Sequence, residues 1–298
     1  MVQEDIENFL RYLRERDAAQ QRITSENTIM AYRSDLEQFR SFLEAHGCDS
    51  WDVTASDIVE YKRDLDARYA KATTRARKIA SVRALYRFLV KEHRVHRDPA
   101  KALTMPPPVK RAPEVVTETT LQQLVAAVEC SEAATAADTA KALRDRAMLR
   151  LMIASGLLPS ELVALDIDDV IGSAIRVRSG NRSRVVHADG KAREALDAYL
   201  ESGRLVLNGS AGERALFVNA RGGRLTRQGF WLIVKQYAQR AGLAGVSPRV
   251  LRHSCAAVML HNGAGLSDVQ HLLGHAHTSS TKAYAHTRLH QEHGVAEE

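Results

Sequence analysis

Apolar residues recur every three to four positions through the first third of the chain, the spacing with which one face of an α-helix meets a core. The pattern predicts four helices, and the fourth runs from roughly Ala72 to His93. Gly47 is the predicted stop of the second helix, and Thr54 with Asp57 three residues on predicts the start of the third. The stripes are Ile6, Phe9, Leu10 and Leu13; Ile29, Tyr32, Leu36, Phe39 and Leu43; Ile58, Tyr61 and Leu65; and Ile79, Val82, Tyr86 and Leu89.

A cluster of prolines separates this part from the rest of the chain. Four of the seven prolines fall between positions 106 and 113. They remove backbone donors and disfavour helix in the residues before them, so they predict a stiff linker. We therefore predict a helical domain over residues 1–105, a linker over 106–113 and a second domain over 114–298.

The second domain mixes helical stripes with short segments of strand character. Ile175–Val177 and Ser183–Val186, on either side of a Gly-Asn pair, predict a β-hairpin. Ser131–Ala140 is small and polar and predicts a loop, whereas Phe217-Val218 predicts a short strand. Helices are predicted from near Thr120, over Lys141–Ser155, Lys191–Ser202 and Thr226–Ala241, and again at the end of the chain. The predicted fold class is mainly α, with a helical N-terminal domain and an α+β C-terminal domain that carries a small β-hairpin sheet.

Positive charge is concentrated around the fourth helix. The 298-residue chain has a formal charge of +6, whereas residues 68–101 hold eleven Lys and Arg against Glu92 and Asp98, a local net charge of +9. A solvated helix face would normally carry more acidic partners. Their scarcity favours contact with nucleic-acid phosphates, because each cation can neutralise one phosphate and release its counterions. The predicted DNA-binding residues of this helix are Arg75, Arg77, Lys78, Arg83, Arg87 and Lys91.

Several classes of protein receive no support from the sequence. Cys48, Cys130 and Cys255 are far apart and odd in number, so they predict neither a disulfide framework nor a CxxC metal pair. The histidines near the end of the chain form no recognisable ligand set, and no metal and no cofactor are predicted. Residues 1–13 lack the pattern of a signal peptide, and no apolar run approaches the roughly 20 residues of a membrane span. We therefore expect a cytoplasmic protein with no membrane partner.

Three short patterns in the second domain resemble the motifs of one family. They are Ala154–Leu162 (ASGLLPSEL), Ser247–His253 (SPRVLRH) followed by Leu272–His275 (LLGH), and Ser280–His286 (STKAYAH). Their order and spacing, with a helical first domain and a linker, resemble the tyrosine recombinases of the phage-integrase family over nearly the whole chain. The likeness is greatest to the Xer branch, and the LGH segment followed nine residues later by a tyrosine is its most specific signal.

The resemblance implies a reaction at a DNA phosphate. In the family, a tyrosine hydroxyl attacks the phosphate and forms a 3′-phosphotyrosine link that keeps the bond energy, so neither ATP nor a metal is needed. Arginines bind the non-bridging oxygens of the anionic transition state, a hairpin lysine protonates the leaving oxygen, and histidines assist. Carried over by position, this implies Tyr284 as the nucleophile, with Arg252, His275 and, in a supporting role, Glu161.

Three expected catalytic positions hold other residues. Leu158 stands where the family has its first arginine, Ser179 where it has the hairpin lysine, and Arg249 where it has a histidine. Loss of one transition-state donor commonly costs a factor of about 10² to 10³ in rate, so these positions predict impaired catalysis. Arg178, Arg182 and Arg184 keep the hairpin basic, and Arg178 and Arg182 are predicted DNA-binding residues.

Three functions remain open on the sequence alone. The first is a recombinase that cuts and rejoins double-stranded DNA at specific sites, as a homo- or hetero-tetramer on paired sites like its family. The second is a DNA-binding member with impaired catalysis that acts as a partner subunit or regulator. The third is a helical adaptor that does not bind DNA. A covalent protein–DNA adduct separates the first from the second, and a salt-sensitive complex with duplex DNA separates both from the third.

Overall fold

The structure is a computed structural model that describes residues 2–19, 25–107, 112–130, 134–179, 182–207, 212–274 and 278–285. Contacts within the chain divide it into two compact units, Met1–Arg111 and Ala112–Glu298. Each unit has a large hydrophobic core of its own. Two separate cores are expected for a chain of this length, because single cores stop growing at about 250 to 300 residues.

The described elements of the first unit are all helical. They are α1 (Val2–Ala19), α2 (Glu26–Ala45), α3 (Ala55–Arg68), α4 (Ala72–Lys91) and a short 3-10 helix at Pro99–Ala102. The predicted stripes are buried in the core of this unit, with Tyr32 alone among them partly exposed. The four predicted helices and their inward faces are thereby confirmed.

Local sequence signals set the ends of these helices. Thr54 and Asp57 form a capping box, in which the Thr54 N–H donates to Asp57 Oδ2 at 2.8 Å and the Asp57 N–H donates to Thr54 Oγ1 at 3.3 Å. Helix α2 ends two residues before Gly47, whose φ of +74° glycine adopts without strain. The predicted start of α3 and stop of α2 are confirmed, and α4 ends two residues earlier than predicted.

The second unit combines helices with a small antiparallel sheet. The helices are α5 (Glu118–Glu129), α6 (Ala136–Ser155), α7 (Pro159–Ala164), α8 (Gly190–Ala198), α9 (Arg204–Leu207), α10 (Arg227–Arg240), α11 (Pro248–His261), α12 (Leu266–Leu273) and α13 (Thr278–Ala285). A 3-10 turn lies at Ile167–Asp169 and a π-helical turn at Tyr199–Gly203. Strands β1 (Val170–Ile171), β2 (Ala174–Ser179) and β3 (Arg182–His187) pair in the order β1-β2-β3. The predicted fold class is confirmed.

The predicted hairpin is formed by β2 and β3. Their register pairs Ile175 with Val186 and Ser179 with Arg182. Ile175, Val177 and Val186 enter the core of the second unit, as the alternation of the sequence requires. The Gly-Asn pair between the strands lies outside the described residues. The sequence did not predict β1, because two residues are too few to show a period.

Two predictions about local structure were wrong. The loop predicted over Ser131–Ala140 is helical from Ala136 onwards, because Thr135 caps α6 and the alanines that follow favour a helix. Phe217-Val218 was predicted as a strand, but only Val218 makes an isolated bridge, with Arg224. The side chains of Phe217 and Val218 are fully buried, so the apolar pair reports burial in the core and not a strand.

Candidate active site

Arg252 lies at the centre of the candidate active site, near the start of α11. The residue is 5% exposed. It donates from Nη1 to the Gly156 carbonyl and from Nη2 to the Leu273 carbonyl, both at 2.7 Å. Burial lowers the pKa of Arg252, while Glu161 and Tyr284 act in the opposite direction. The guanidinium thus joins the end of α6 to the end of α12 and remains a cation, because arginine does not lose its proton in proteins.

Gly156 ends α6 and allows Leu273 and Cys255 to pack closely against it. Its φ of +60° is left-handed and terminates the helix. An added Cβ would lie 2.7 Å from Leu273 Cδ2 and 3.2 Å from Cys255 Sγ. Glycine is therefore required here both for its backbone conformation and for its lack of a side chain.

The carboxylate of Glu161 lies between two guanidinium groups. Glu161 is on α7, is 5% exposed, and accepts a hydrogen bond from the Leu158 N–H at 2.8 Å. Arg184, on β3, donates from Nη1 to Oε1 at 2.6 Å and from Nη2 to Oε2 at 2.8 Å. Arg252 Nη1 is 3.9 Å from Oε2. Glu161 is therefore bound closely to Arg184 and loosely to Arg252.

Arg184 is a part of this site that the motif comparison did not single out. Its Nε donates to the Leu272 carbonyl at 2.8 Å. Its guanidinium lies so close to Gly274 that an added Cβ there would be 3.0 Å from Nη1. One signal could have found it: Arg184 is two residues from buried Val186 and so shares its inward face of the strand. An arginine on that face needs a buried acidic partner.

Tyr284 is buried on α13, within electrostatic reach of Arg252. It is 6% exposed and packs in a small cluster with Ala256 and Leu273. Burial raises the pKa of Tyr284, whereas Arg252 and then Arg249 lower it. A hydroxyl with a raised pKa keeps its proton at neutral pH, so it becomes a strong nucleophile only when another group accepts that proton.

His253 provides an aromatic neighbour for Tyr284. Their ring centroids are 5.4 Å apart. Arg249 Nε lies 3.4 Å from His253 Nε2. Burial lowers the pKa of His253, and Arg249 lowers it further. The imidazole is therefore neutral at pH 7 and lies between the tyrosine and an exposed cation.

The three positions that depart from the family pattern occupy different parts of the second unit. Leu158 is the N-cap of α7 and is 37% exposed. Arg249 is exposed in the first turn of α11. Leu158 adjoins the site through the hydrogen bond from its N–H to Glu161, and Arg249 adjoins it through the contact with His253. Ser179 is exposed at the end of β2, where it pairs with Arg182. The structure thus brings Leu158 and Arg249 to the candidate site and leaves Ser179 on the hairpin.

The other predicted site residues of the second unit are Arg178, Arg182 and His275, and the structure describes fewer contacts for them. Arg178 is exposed on β2 and forms an ion pair with Asp169, whose hydrogen bond raises the pKa of Arg178. Arg182 belongs to β3. His275 lies outside the described residues.

An open groove of about 350 Å³ adjoins the candidate site. Its lining includes Pro159, Arg227, Trp231, Pro248 and Arg249, and the described lining residues contain no carboxylate. Trp231 is 40% exposed, and Lys235 Nζ lies 5.1 Å from the centre of its ring. No motif or charge run in the sequence predicted this surface. The signal was the spacing of four between Arg227, Trp231 and Lys235, which places them on one side of α10.

Three of the cations predicted to bind DNA share one face of α4. Arg83, Arg87 and Lys91 are spaced by four residues. In the described part of the chain, none of them is paired with a carboxylate: Arg87 donates to a backbone carbonyl, and Lys91 Nζ lies 4.6 Å from the centre of the Tyr12 ring. These side chains therefore present unneutralised charge.

The other three cations of α4 are engaged within the first unit. Lys78 is 4% exposed, and its Nζ lies 3.0 Å from Asp35 Oδ1. Arg77 Nη1 lies 2.8 Å from Asp35 Oδ2, and Arg75 Nε lies 3.0 Å from Asp66 Oδ1. Lys78 is thus an internal residue and not the surface cation that the charge run indicated, because a fully buried carboxylate requires a paired charge.

Two further findings concern the described residues only. No group of three or more His, Cys, Asp and Glu side chains in this part of the chain is placed to hold a metal ion. None of the described helices is long and apolar enough to cross a membrane.

The fold and the arrangement of the site are those expected of the tyrosine recombinase family, and comparison with known families agrees. The phage integrase family matches residues 114–290, and the phage integrase N-terminal SAM-like domain matches residues 6–93. The chain belongs to the phage integrase family.

Two individual relatives and one solved structure are similar to this chain over most of its length. The chain is 40% identical over 298 residues to tyrosine recombinase XerC of Roseiflexus castenholzii, covering 98% of this chain and 91% of the relative. It is 38% identical over 277 residues to tyrosine recombinase XerD of Mycobacterium tuberculosis, covering 89% and 88%. A lambda integrase tetramer bound to a Holliday junction shares the fold, with a TM-score of 0.70 at 15% identity over 98% of this chain and 79% of that one.

Proposed function

We propose that the chain binds duplex DNA at specific sites in the cytoplasm and takes part in site-specific recombination, with Tyr284 forming the covalent bond to DNA. The observation that carries the proposal is the buried cluster in which Arg252, fixed by two backbone carbonyls, adjoins Tyr284 and Glu161. A fixed cation beside a hydroxyl is what attack on a phosphodiester requires. Identity of 40% to a tyrosine recombinase over nearly the whole chain supports the same function.

The proposed step exchanges one phosphate ester for another. The Tyr284 oxygen gives up its proton and forms a bond to phosphorus, while the bond from phosphorus to the 5′ oxygen of the next nucleotide breaks. The departing oxygen takes up one proton and leaves as a 5′ hydroxyl, so the step has no net gain or loss of protons. Arg252 donates to the non-bridging oxygens on which negative charge develops. The phosphotyrosine bond keeps the energy of the phosphodiester, so attack by a 5′ hydroxyl of DNA reverses the step and rejoins the strand.

Each unit contributes a basic surface to the proposed DNA contact. In the first unit it is the α4 face of Arg83, Arg87 and Lys91, whose members have no carboxylate partner in the described part of the chain. In the second unit it is the groove with Arg227 and Arg249. Cations that neutralise phosphates release counterions, so the affinity should fall steeply as salt is added. Arg178, Arg182 and His275 are proposed to add contacts near the cleaved phosphate.

A nicked duplex tests the proposed function. A binding sequence is first selected with the wild-type protein from a random-sequence duplex pool, and nicked versions of it are then used to trap the cleaved state. We expect a covalent adduct with the wild type and none with Tyr284→Phe, at equal affinity. Wild-type protein that binds the duplex tightly but never forms an adduct would show that Tyr284 is not a nucleophile in this chain.

A second candidate function is a DNA-binding subunit that does not itself cleave. It is favoured by Leu158, whose partly exposed apolar side chain supplies no donor where the family has an arginine. Such a subunit would act beside an active partner in a hetero-tetramer on paired sites, an arrangement that the shared fold with a tetrameric integrase supports. Salt-sensitive binding without an adduct from this chain, together with cleavage when an active relative is added, is the expected result.

A further inference from the structure

We propose that Arg184 is a positioning residue, which holds the Glu161 carboxylate away from Arg252 and thereby keeps Arg252 available for a DNA phosphate. The inference rests on the proposed function, because it assigns a phosphate to Arg252. Arg184 itself makes no DNA contact in this proposal. It acts through Glu161.

The two arginines compete for one carboxylate. Arg184 occupies both oxygens of Glu161, at 2.6 and 2.8 Å, in the bidentate geometry that gives a guanidinium its strongest pairing. The Leu158 N–H, at 2.8 Å, takes a further acceptor position on Oε2. The 3.9 Å left between Oε2 and Arg252 Nη1 is longer than a hydrogen bond. Arg252 therefore feels the negative charge without giving a donor to it.

Arg252 has donors to spare for a ligand. Its guanidinium has more N–H groups than the carbonyls of Gly156 and Leu273 use. Glu161 is 5% exposed, and if Arg184 were replaced by glutamine the remaining cation within 4.0 Å of its carboxylate in the described residues would be Arg252. A buried carboxylate without a close partner is costly, so Glu161 would close the 3.9 Å gap and form a full pair with Arg252. That pair would neutralise the charge on which phosphate binding depends.

The position of Arg184 is itself fixed. Its Nε donates to the Leu272 carbonyl, and Arg252 donates to the next carbonyl, Leu273, so the two arginines cap consecutive carbonyls at the end of α12. Gly274 leaves the space that the Arg184 guanidinium fills. A lysine could not reproduce this set, because one ammonium cannot span two carboxylate oxygens and the Leu272 carbonyl in a fixed plane.

The salt dependence of DNA binding tests this role without requiring cleavage. The probe is the duplex selected with the wild-type protein, and the affinity is measured by fluorescence anisotropy between roughly 50 and 200 mM salt. Each phosphate contact contributes about 0.9 to the slope of log affinity against log salt. We expect Arg184→Gln and Arg252→Gln each to lower the slope by about 0.9, although Arg184 touches no phosphate. Adding Glu161→Gln to Arg184→Gln should restore the wild-type slope.

Control variants distinguish the positioning role of Arg184 from the general effect of losing a positive charge and from a failure of the variant to fold. Arg214→Gln removes an exposed arginine paired with Asp168 and should leave the slope unchanged. If Arg184→Gln alone does not fold, Glu161→Gln is compared with the Glu161→Gln, Arg184→Gln double variant, in which both members of the bidentate ion pair are neutral. Equal slopes are expected, since Arg184 is not needed once the carboxylate is gone.

Three results would overturn the positioning role. The first is a wild-type slope in folded Arg184→Gln. The second is a loss that Glu161→Gln does not repair, which would mean that Arg184 binds phosphate itself. The third is an unchanged slope in Arg252→Gln, which would remove Arg252 from the phosphate. Wild-type protein with no salt-sensitive DNA binding would instead overturn the proposed function, and the positioning role with it.

Discussion

The imidazole of His253 and the phenol of Tyr284 are in ring contact, with their planes inclined at 52° and their centroids 5.4 Å apart. Burial shifts the pKa of each group in the direction that favours its neutral form, downwards for His253 and upwards for Tyr284. Arg249 and Arg252 lower the pKa of His253 further, and Glu114 partly opposes them. The contact is therefore one between two uncharged rings at neutral pH.

Acid should destabilise the wild type more than a His253→Phe variant. The unfolded imidazole takes up a proton near its ordinary pKa of 6.5, whereas the folded one resists protonation, so the free energy of unfolding falls as the pH drops below that value. Phenylalanine keeps the ring contact and cannot titrate. Urea unfolding between about pH 5 and 7 measures the difference, with His261→Phe, an exposed position on the same helix, as the control. Equal pH dependence in wild type and His253→Phe would contradict the lowered pKa.

Replacement of two different cations of α4 should have opposite effects: one should change DNA binding and the other should change stability. Arg87→Gln should lower the salt slope of DNA binding by about 0.9 and leave stability unchanged, because Arg87 is exposed and has no carboxylate partner in the described residues. Lys78→Met should leave the slope unchanged and cost about 3 kcal/mol of stability, because it strips a partner from buried Asp35. Fluorescence anisotropy measures the salt slope of each variant, and urea unfolding measures its stability. A smaller slope in folded Lys78→Met would mean that the lysine reaches DNA after all.

The difference between these two cations shows what the sequence could and could not predict. The stripe that includes Ile79 and Val82 predicts α4, because helix periodicity is a local property of neighbouring residues. Whether a lysine on that helix faces water or a carboxylate depends on a residue far along the chain. Asp35 is 43 positions from Lys78, and no local pattern joins the two.

The candidate site likewise contains residues that the sequence could predict and one contact that it could not. The motif resemblance names Tyr284, Arg252 and Glu161, because the family keeps them at set spacings. Arg184 is predicted only as one of the hairpin's positive charges, because its partner Glu161 is 23 residues away on another element. The sheet register that turns Arg184 inward is set by the packing of β2 and β3, so its contact with Glu161 appears only in the folded chain.

Gly156→Ala should destabilise the second unit by about 1 to 3 kcal/mol. The left-handed φ alone costs about 1 kcal/mol in a residue with a side chain, and the new Cβ would meet Leu273 at 2.7 Å. Gly263→Ala is the matched control, since Gly263 also has a positive φ but nothing within 4 Å of an added Cβ. Urea unfolding of both variants isolates the packing contribution. Equal losses would show that Leu273 moves aside and that Arg252 does not depend on a tight end to α6.

Leu158→Arg combined with Ser179→Lys should raise the rate of covalent adduct formation on the nicked duplex by at least about 10² to 10³, the usual value of one transition-state donor. Leu158 is 37% exposed and Ser179 is exposed, so both longer side chains can be accommodated without burying a charge. Leu158 already lies beside the cluster through its backbone bond to Glu161, so an arginine there starts next to Arg252.

Single-turnover kinetics of this double variant measure the gain, and two controls define its cause. Leu158→Gln offers a polar side chain without the guanidinium and should gain far less. Tyr284→Phe in the double-variant background should abolish the adduct, because any new cleavage must still pass through the tyrosine. If a Tyr284-dependent adduct forms at the wild-type rate in the double variant, then Leu158 and Ser179 do not limit this chain, and its phosphate is held by other donors.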